Sequence, residues 1–344
     1  MRFHDLYVAG VASWLPPREP IGQGRYEPSQ QDEHAYESAS VAGADETAPG
    51  MAVRVGRIAL TRSGVDPAEV SLLLHAYVWY QGLDFWSPAS YIHHALLGEN
   101  RTAQAIDLNQ MCAGAVSALQ LAAEHLVADP DRRAAIVTTA DRFPPPGFDR
   151  WHTEGASIVY GDGAGALVLA RGRGFARLLA VRSVADTTLE PMTRGDSMFT
   201  LFSPASQGAL DLRTRRVAGV LQIGAQEVEA RLTRAITDAV HGLLDEAGLT
   251  ITDVSRFVFP NFGLGMLAEY IKLFGVDVSQ TTWELGRTTG HVGAADPITG
   301  LTYLLEQRQL SVGERVMLIG IGAGFFWACA LVECVEIPDW PPAA

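Results

Sequence analysis

Cys112 is the residue most able to do covalent chemistry in this sequence. An apolar stretch, 103–108, has the pattern of a strand and runs into it, and an alanine-rich helix pattern follows. A thiol at such a turn faces free backbone N–H groups and the positive end of the helix dipole, and both favour the nucleophilic thiolate. The small residues 113–115 leave room for a substrate beside the sulfur. The alternative is a buried, inert cysteine, which is the commoner fate of this residue type.

A nucleophilic thiol needs a base, and His291 is the strongest candidate among the nine histidines. It lies in a loop of small residues, 287–297, that opens a predicted helix. Asp296 follows five residues later and can orient the imidazole, which would complete a Cys-His-Asp arrangement with Cys112. An aspartate before a proline at a helix start is also a typical N-cap. The sequence leaves both roles open for Asp296.

An internal repeat organises the elements that must position these residues. Successive strands, helices and glycine turns in the first half of the chain have counterparts, in the same order, in the second half. The clearest pairs are 64–71 with 248–255, and the glycine run 161–165 with 320–324. Four such matches in order indicate a duplication.

The repeat divides the chain into two α/β halves, 1–172 and 173–344. It makes the His291 loop the counterpart of the Cys112 turn, so the two should meet across a pseudo-twofold axis. Strands that alternate with helices predict mainly parallel sheets covered by helices.

The two glycine runs do not have the spacing of a phosphate-binding loop. Each lies between apolar strands, where glycine allows positive φ and close approach of another backbone. We therefore expect a structural role for 161–165. The uncharged segment Val316–Val332 contains three glycines and is interpreted as two buried strands joined by a tight turn, not as a membrane span.

Composition excludes several classes of protein. Over 344 residues, 48% are hydrophobic and 19% charged, which is typical of a globular chain. With 26 basic against 39 acidic residues and a net charge of −13, a nucleic-acid partner is not expected. Three cysteines (Cys112, Cys329 and Cys334) are too few for a disulfide framework, and no signal-peptide pattern is present. We expect a cytoplasmic protein with no membrane partner, no metal and no nucleotide cofactor.

Taken together, the motifs resemble the ketoacyl-ACP synthase III branch of the thiolase superfamily over nearly the whole length. The matching pieces are 10–16, 112–114, 160–166, 259–260 and 322–327. The resemblance implies a thiolase fold, with duplicated halves in a five-layered αβαβα arrangement, and a homodimer. It also implies acylation of Cys112 by an acyl-CoA or acyl-carrier-protein thioester, whose phosphopantetheine arm arrives with the substrate. The backbone N–H groups of Cys112 and Ala323 would form the oxyanion hole.

The chain departs from the condensing members of that family at two positions. Those members carry a histidine after the Val/Phe-Pro pair and an asparagine in a later Gly-Asn loop. Both stabilise the enolate that forms when a malonyl thioester loses carbon dioxide. Here Asn261 follows Phe259-Pro260 and His291 follows Gly290, so the two side-chain types have exchanged places. This pattern resembles the synthase III-like acyltransferases of natural-product pathways.

Those acyltransferases move an acyl group from a carrier protein or CoA to a sugar or cyclitol hydroxyl or amine, or to another carrier, without decarboxylation. We therefore expect His291 to activate a small-molecule acceptor. Asn261 is expected to hydrogen-bond donor or acceptor, or only to pack. Phe85 and Trp86 would wall an acyl pocket or pack in a dimer interface. Arg213, Arg215 and Arg216 form a basic cluster that either meets an acidic carrier protein or is a solvated loop.

Two other functions stay open. A condensing enzyme with exchanged residues would release carbon dioxide from a malonyl thioester, and a catalytically silent partner subunit would acquire no acyl adduct.

Overall fold

The computed structural model describes residues 1–22, 35–155, 157–200 and 208–340. Within them, the first half of the chain forms, in order, β1 (Leu6–Trp14), β2 (Arg18–Pro20), β3 (Ser38–Ser40), α1 (Ala48–Ser63), β4 (Val70–Ala76), α2 (Pro88–Leu97), β5 (Gln104–Leu108), α3 (Gly114–Val127), β6 (Ala134–Asp141) and β7 (Gly163–Arg171). The second half forms β8 (Ala176–Ala185), α4 (Pro191–Arg194), α5 (Leu212–Ile223), α6 (Ala225–Ala247), β9 (Arg256–Val258), α7 (Leu264–Phe274), α8 (Trp283–Thr289), α9 (Asp296–Glu306), β10 (Arg315–Gly322) and β11 (Phe326–Cys334).

Nine strands form one mixed sheet in the order β5-β4-β6-β7-β1-β8-β11-β10-β9. The pairs β4–β5, β4–β6 and β9–β10 are parallel, and the pairs in the centre of the sheet are antiparallel. The prediction of mainly parallel sheets is therefore wrong. The glycine turn after β10 reverses the chain directly into β11, and such a hairpin is necessarily antiparallel.

The sheet has two halves, one on each side of the β1–β8 pair. β1 and β8 join through the residue pairs Tyr7–Arg177 and Val8–Ala176. Helix α3 contacts β4 and β6 in one half-sheet and β10 and β11 in the other, and α9 likewise contacts strands of both. Helix α1 covers the outer face of the first half-sheet and α6 that of the second. The layers therefore run αβαβα, as the resemblance implied.

Among the described residues, three hydrophobic cores lie between these layers. The middle core packs α3 and α9 against both half-sheets, and Val116, Leu301 and Leu318 are completely or almost completely buried in it. The outer cores lie beneath α1 and α6. Since full burial of one such side chain contributes about 1.5–3 kcal/mol, the middle core holds the starts of α3 and α9 firmly in place.

Each half-sheet comes from one half of the chain: the first ends at Arg171 and the second begins at Ala176. Division into domains at residue 172 stays a prediction. The segment Val316–Val332 forms most of β10 and β11 with the turn between them, as predicted. In the described ranges, no helix is both long and apolar enough to cross a membrane.

Candidate active site

Cys112 lies in a short 3₁₀ turn between the end of β5 and the start of α3. The preceding residue, Met111, has a φ of 51°, a left-handed conformation that is uncommon outside glycine and turns the chain sharply. Gly114 packs tightly behind the turn, since a Cβ there would lie 2.9 Å from the Cβ of Ala76. The turn is thereby held against β4, with Cys112 only partly buried.

His291 lies in the loop before α9, and backbone hydrogen bonds tie this loop to the first half of the chain. Its N–H donates to the carbonyl of Val159 at 2.8 Å, and its carbonyl accepts from the N–H of Gly161 at 2.9 Å. A Cβ at Gly161 would lie 2.0 Å from the carbonyl oxygen of Thr289, so glycine is required for this approach. The first glycine run thus holds the loop that carries His291, which is the structural role expected of it.

Cys112, His291 and Asp296 form a hydrogen-bonded chain. The Nε2 atom of His291 lies 3.0 Å from the Sγ atom of Cys112, and its Nδ1 atom lies 2.5 Å from Oδ2 of Asp296. The side chains of His291 and Asp296 are each 1% exposed. The two turns therefore meet as the repeat predicted. In this geometry the imidazole can exchange a proton with the sulfur while the carboxylate holds its other nitrogen.

The charge state of His291 follows from its neighbours. Burial by itself would lower the pKa of His291, but the negative charges of Cys112 and Asp296, and the hydrogen bonds to them, outweigh burial and raise the pKa well above its usual range. The ring packs between Tyr160 and Phe262, at centroid distances of 5.3 and 5.2 Å. The two groups that flank the ring therefore favour the protonated form of the His291 imidazole.

Asp296 is the first residue of α9, and its side chain makes no capping hydrogen bond to that helix. Its carboxylate instead accepts from the backbone N–H of Val292 at 2.8 Å and that of Asn261 at 2.7 Å, as well as from His291. These donors satisfy a carboxylate that is almost completely buried. Of the two roles that the sequence left open, the geometry matches orientation of the imidazole and not an N-cap.

Asn261 does not face the substrate, which corrects the expectation that it hydrogen-bonds donor or acceptor. Its Nδ2 atom donates to Oδ1 of Asp296 at 3.1 Å and to the carbonyl of Gly290 at 3.2 Å, and the residue is 4% exposed. The amide lies on the Asp296 side of the imidazole, away from the sulfur. Sequence position alone does not reveal this direction.

Ala323 lies in the turn between β10 and β11 and borders the same cavity as Cys112. The neighbouring glycines allow this approach. A Cβ at Gly320 would lie 2.9 Å from the Cα of Ala113, and one at Gly322 would lie 2.6 Å from the carbonyl oxygen of Gln110. The structure thus brings together the two residues to which the resemblance assigns the oxyanion hole.

A cavity of about 560 Å³ opens above the thiol and the imidazole. One face of α6 and one face of α7 form its walls, and α4, α5 and β11 complete it. This volume is typical of sites for small molecules or cofactor arms. The wall residues from the two long helices are Glu229, Leu232, Thr233, Ile236, Met266, Glu269, Tyr270 and Leu273.

The basic cluster is not a loop, because Arg213, Arg215 and Arg216 lie on α5. Arg216 lines the cavity and forms an ion pair with Glu154. Within the described residues, no cluster of three or more His, Cys, Asp or Glu side chains is arranged to hold a metal ion.

Phe85 and Trp86 are not among the residues that line this cavity, so their assignment to an acyl pocket or to a dimer interface stays a prediction. Phe85 is fully exposed, and Trp86 packs against Tyr91 at a centroid distance of 5.7 Å. The segment leads from β4 to α2, which contacts β4 and β5.

Sequence analysis missed Asp141, the last residue of β6. One oxygen accepts from the N–H groups of Val78 and Trp79, both at 2.8 Å, and the other from the N–H of Ala294 at 3.4 Å. Burial raises the pKa of Asp141 to about 7, despite these hydrogen bonds. The carboxyl links the loop after β4 to the His291 loop. The sequence did offer one indication of this role, because Asp141 lies at the carboxyl end of a predicted buried strand.

The sequence matches two models of one protein family. Residues 106–187 match 3-oxoacyl-[acyl-carrier-protein] synthase III, and residues 244–334 match its C-terminal part. Beta-ketoacyl-[acyl-carrier-protein] synthase III of Cereibacter sphaeroides (strain ATCC 17025) is 27% identical over 332 residues, covering 95% of this chain and 98% of that protein. The enzyme of the same name from Clostridium perfringens (strain SM101) is 24% identical over 294 residues, covering 84% and 85%.

Solved structures of the same fold include proteins that are named for different activities. ChlB3, an acyltransferase, is 34% identical with a TM-score of 0.91, covering 98% of this chain and all of that one. The priming β-ketosynthase of the R1128 polyketide pathway is 23% identical with a TM-score of 0.76, covering 98% of each chain, and shows the same thiolase fold. The chain therefore belongs to the 3-oxoacyl-[acyl-carrier-protein] synthase III family of thiolase-fold transferases.

Proposed function

We propose that the protein is an acyltransferase that uses an acyl-Cys112 intermediate and does not decarboxylate its substrate. The donor is an acyl-carrier-protein or CoA thioester. The acceptor is a hydroxyl or amine of a small natural-product molecule, such as a sugar or cyclitol, or another carrier. The observation that carries this proposal is the direction of two side chains: His291 contacts the sulfur, and the Asn261 amide contacts Asp296.

Decarboxylative condensation is the alternative, and it makes a different demand on the site. Loss of carbon dioxide from a malonyl thioester leaves an enolate, whose oxygen needs fixed hydrogen-bond donors. The resemblance assigns that task to histidine and asparagine side chains. Here the asparagine amide is already bound to Asp296 and Gly290. An imidazole backed by a carboxylate is instead suited to taking a proton from an acceptor.

In the first half-reaction, the Cys112 thiolate attacks the carbonyl carbon of the donor thioester. We assign stabilisation of the tetrahedral oxyanion to the backbone N–H groups of Cys112 and Ala323. The bond between the carbonyl carbon and the pantetheine sulfur then breaks, and the leaving thiolate takes the proton from Nε2 of His291. Acyl-Cys112 and a neutral imidazole remain.

In the second half-reaction, the acceptor attacks the acyl-Cys112 carbonyl and gives its proton to Nε2 of His291. The bond between that carbon and the Cys112 sulfur breaks, and the thiolate beside a protonated His291 is restored. Asp296 accepts from Nδ1 throughout and stabilises the imidazolium. Since acylation removes the charge of Cys112, it also removes one cause of the raised pKa of His291. In the acyl-enzyme the pKa of His291 is therefore lower than in the free enzyme, so the imidazole is more readily neutral and is available to take the proton of the acceptor.

The related proteins support an acyl-transfer reaction in general. They include both condensing synthases and an acyltransferase. The relatives named synthases are 24% and 27% identical to this chain, whereas the acyltransferase ChlB3 is 34% identical. These names describe those proteins. For this chain they agree with an acyl-cysteine reaction, and the site geometry favours transfer to a nucleophile.

We also propose that the protein is a homodimer. Strand β5 is an edge of the nine-stranded sheet and therefore presents unpaired backbone groups. Near it, Phe85 is fully exposed and Tyr91 is 49% exposed. A second copy of the chain would cover both this sheet edge and the exposed aromatic side chains beside it. Light scattering of the purified protein tests this, with a mass of two chains as the expected result and a mass of one chain as the contradiction.

The experiment for the proposed function follows the acyl group by intact mass. Protein incubated with an acyl-CoA or acyl-carrier-protein donor should gain one acyl group, and the Cys112→Ala variant should gain none. Addition of hydroxyl or amine acceptors should discharge the acyl-enzyme. A wild-type protein that gains no acyl group from any donor would support the silent partner subunit instead.

A further inference from the structure

The cavity above Cys112 is acidic. In the part of the chain that the structure describes, the charged side chains that line it, apart from the catalytic His291, are three carboxylates and one guanidinium: Glu154, Glu229, Glu269 and Arg216. Arg216 forms an ion pair with Glu154. Glu229 on α6 and Glu269 on α7 are both exposed and lie where the cavity opens to solvent. Two carboxylates therefore remain at the opening without a compensating cation in the described lining.

Glu154 differs from the other two carboxylates because it is fixed in place. Its side chain is 9% exposed, and its two oxygens accept from different partners, Arg216 and the hydroxyl of Tyr160, the latter at 3.3 Å. The ring of Tyr160 in turn packs against the imidazole of His291. The carboxylate is thereby held inside the cavity, next to the residues that surround the reacting groups.

We propose that this cavity selects an acceptor without an anionic group, and that Glu154 accepts a hydrogen bond from a second hydroxyl or amino group of that acceptor. The acceptor class is a neutral or cationic polyhydroxy or amino compound. This inference rests on the proposed function, because it concerns the molecule that enters the cavity after Cys112 is acylated.

The physical reason is the cost of like charges in a partly desolvated space. An anionic group that enters the cavity would pass the uncompensated carboxylates of Glu229 and Glu269, while a hydroxyl or ammonium group can donate to the free lone pairs of the lining carboxylates. The pantetheine arm is uncharged along its two amide groups and can pass. A malonyl thioester carries its carboxylate at the reacting end, so the same residues that favour a polyol disfavour a malonyl group.

Charged thiol reagents measure this selectivity without knowledge of the acceptor. Methanethiosulfonates with a trimethylammonium or a sulfonate group each transfer a thioalkyl group to the Cys112 thiolate, form a mixed disulfide and release methanesulfinate. Cys329 and Cys334 are buried, so intact mass reports modification of Cys112. Each rate is divided by the rate of the same reagent with glutathione at the same pH, which removes the intrinsic reactivity of the reagent.

In the E229Q/E269Q variant, we expect the ratio of the sulfonate rate to the trimethylammonium rate to rise about two- to fivefold for each carboxylate removed at low ionic strength, and less in 1 M salt. Glu99 is exposed just after the end of α2 and does not line the cavity, so E99Q serves as the matched control, with an unchanged ratio. An unchanged ratio in E229Q/E269Q would overturn the charge selectivity.

Discharge of the acyl-enzyme tests the role of Glu154. Ethanolamine and glycine share a primary amine, but glycine adds a carboxylate. Both discharge thioesters chemically, so each rate on acyl-Cys112 is compared with its rate on the free acyl-pantetheine thioester. We expect the enzyme to favour ethanolamine at least severalfold and E154Q to reduce that preference, while E99Q retains it. Equal normalised rates in the wild type would contradict the inference.

The two failures are distinguishable. Carbon dioxide release from a malonyl thioester would overturn the proposed function. A protein that acylates normally and transfers without carbon dioxide release, yet shows no charge preference, would overturn only this inference.

Discussion

The side-chain amide of Asn261 donates to Asp296, at 3.1 Å, and not into the cavity above Cys112. The backbone N–H of the same residue donates to the other oxygen of that carboxylate at 2.7 Å. Asn261 therefore positions the group that positions His291. Under the proposed function, this side-chain direction distinguishes the site from that of a condensing enzyme, because the amide supports Asp296 and is not free to bind an enolate oxygen.

Removal of the Cys112 sulfur should lower the pKa of His291. The charge of Cys112 is one of the causes that raise this pKa, and burial opposes them. The Cys112→Ala variant lacks this charge, while burial still lowers the pKa. The imidazole should therefore titrate at lower pH than in the wild type. An NMR titration of His291 measures this. The exposed His4 is the internal reference, and an unchanged His291 pKa in the variant would show that the two groups are not coupled.

Replacement of Asp296 by asparagine should reduce acyl transfer about 10³- to 10⁴-fold, because the imidazole loses the partner that fixes its tautomer. It should also cost about 1–3 kcal/mol of unfolding free energy, since the new amide faces the N–H of Val292 and the amide of Asn261. Transfer rates and denaturant unfolding measure the two effects.

The double variant Asp296→Asn with Asn261→Asp separates these effects. It restores a carboxylate–amide pair at the same place, so stability should recover in part while transfer stays slow. Recovery of transfer together with stability would show that Asp296 has only a structural role.

The Gly322→Ala substitution should slow the acylation of Cys112. The Cβ of an alanine there would lie 2.6 Å from the carbonyl oxygen of Gln110, so the turn that carries Ala323 must move away from the thiol. Loss of one oxyanion donor typically slows such a step about 10²- to 10³-fold. The rate of acyl-Cys112 formation by intact mass measures it. Gly43→Ala has ordinary contacts and is the control; equal acylation rates in the two variants would argue against the Ala323 N–H.

Asp141 should make the folded protein less stable as pH rises from about 4 to 7. Burial raises its pKa in the folded state from 3.8 to about 7, so over this range the folded state binds a proton that the unfolded state has lost. The contribution is on the order of a few kcal/mol. His291, whose folded pKa is also raised, loses its own stabilising contribution as pH rises, so the comparison must isolate Asp141.

Denaturant unfolding of the wild type and Asp141→Asn at pH 5 and pH 7.5 provides that comparison. The wild type should lose more unfolding free energy between the two pH values than the variant does. The same loss in both proteins would show that the Asp141 carboxyl does not titrate in this range.

Much of the framework could be predicted because it depends on local patterns and on the repeat. Apolar strands, amphipathic helices and glycine turns predicted most elements. The correspondence between the Cys112 turn and the His291 loop predicted the contact between residues 179 positions apart. Whether neighbouring strands run parallel or antiparallel was harder to predict, because a hairpin and a crossover connection can both follow similar apolar strands.

Side-chain directions could not be predicted, because they depend on packing between distant segments. The amide of Asn261 is confined by Gly286, where a Cβ would lie 2.9 Å from Oδ1 of Asn261. Arg216 turns toward Glu154, which is 62 residues away in sequence. The aromatic pattern around Phe85 suits a pocket or an interface equally, and the sequence does not indicate that the side chain is fully exposed in one copy of the chain.

The measurement that tests the central claim most directly is carbon dioxide release by acyl-loaded protein in the presence of a malonyl thioester. Intact mass first verifies acyl-Cys112, and the Cys112→Ala variant gives the background. We expect no release above that background, and discharge of the same acyl-enzyme by a hydroxyl or amine acceptor. Stoichiometric release of carbon dioxide would contradict the account and show a condensing enzyme with rearranged histidine and asparagine residues.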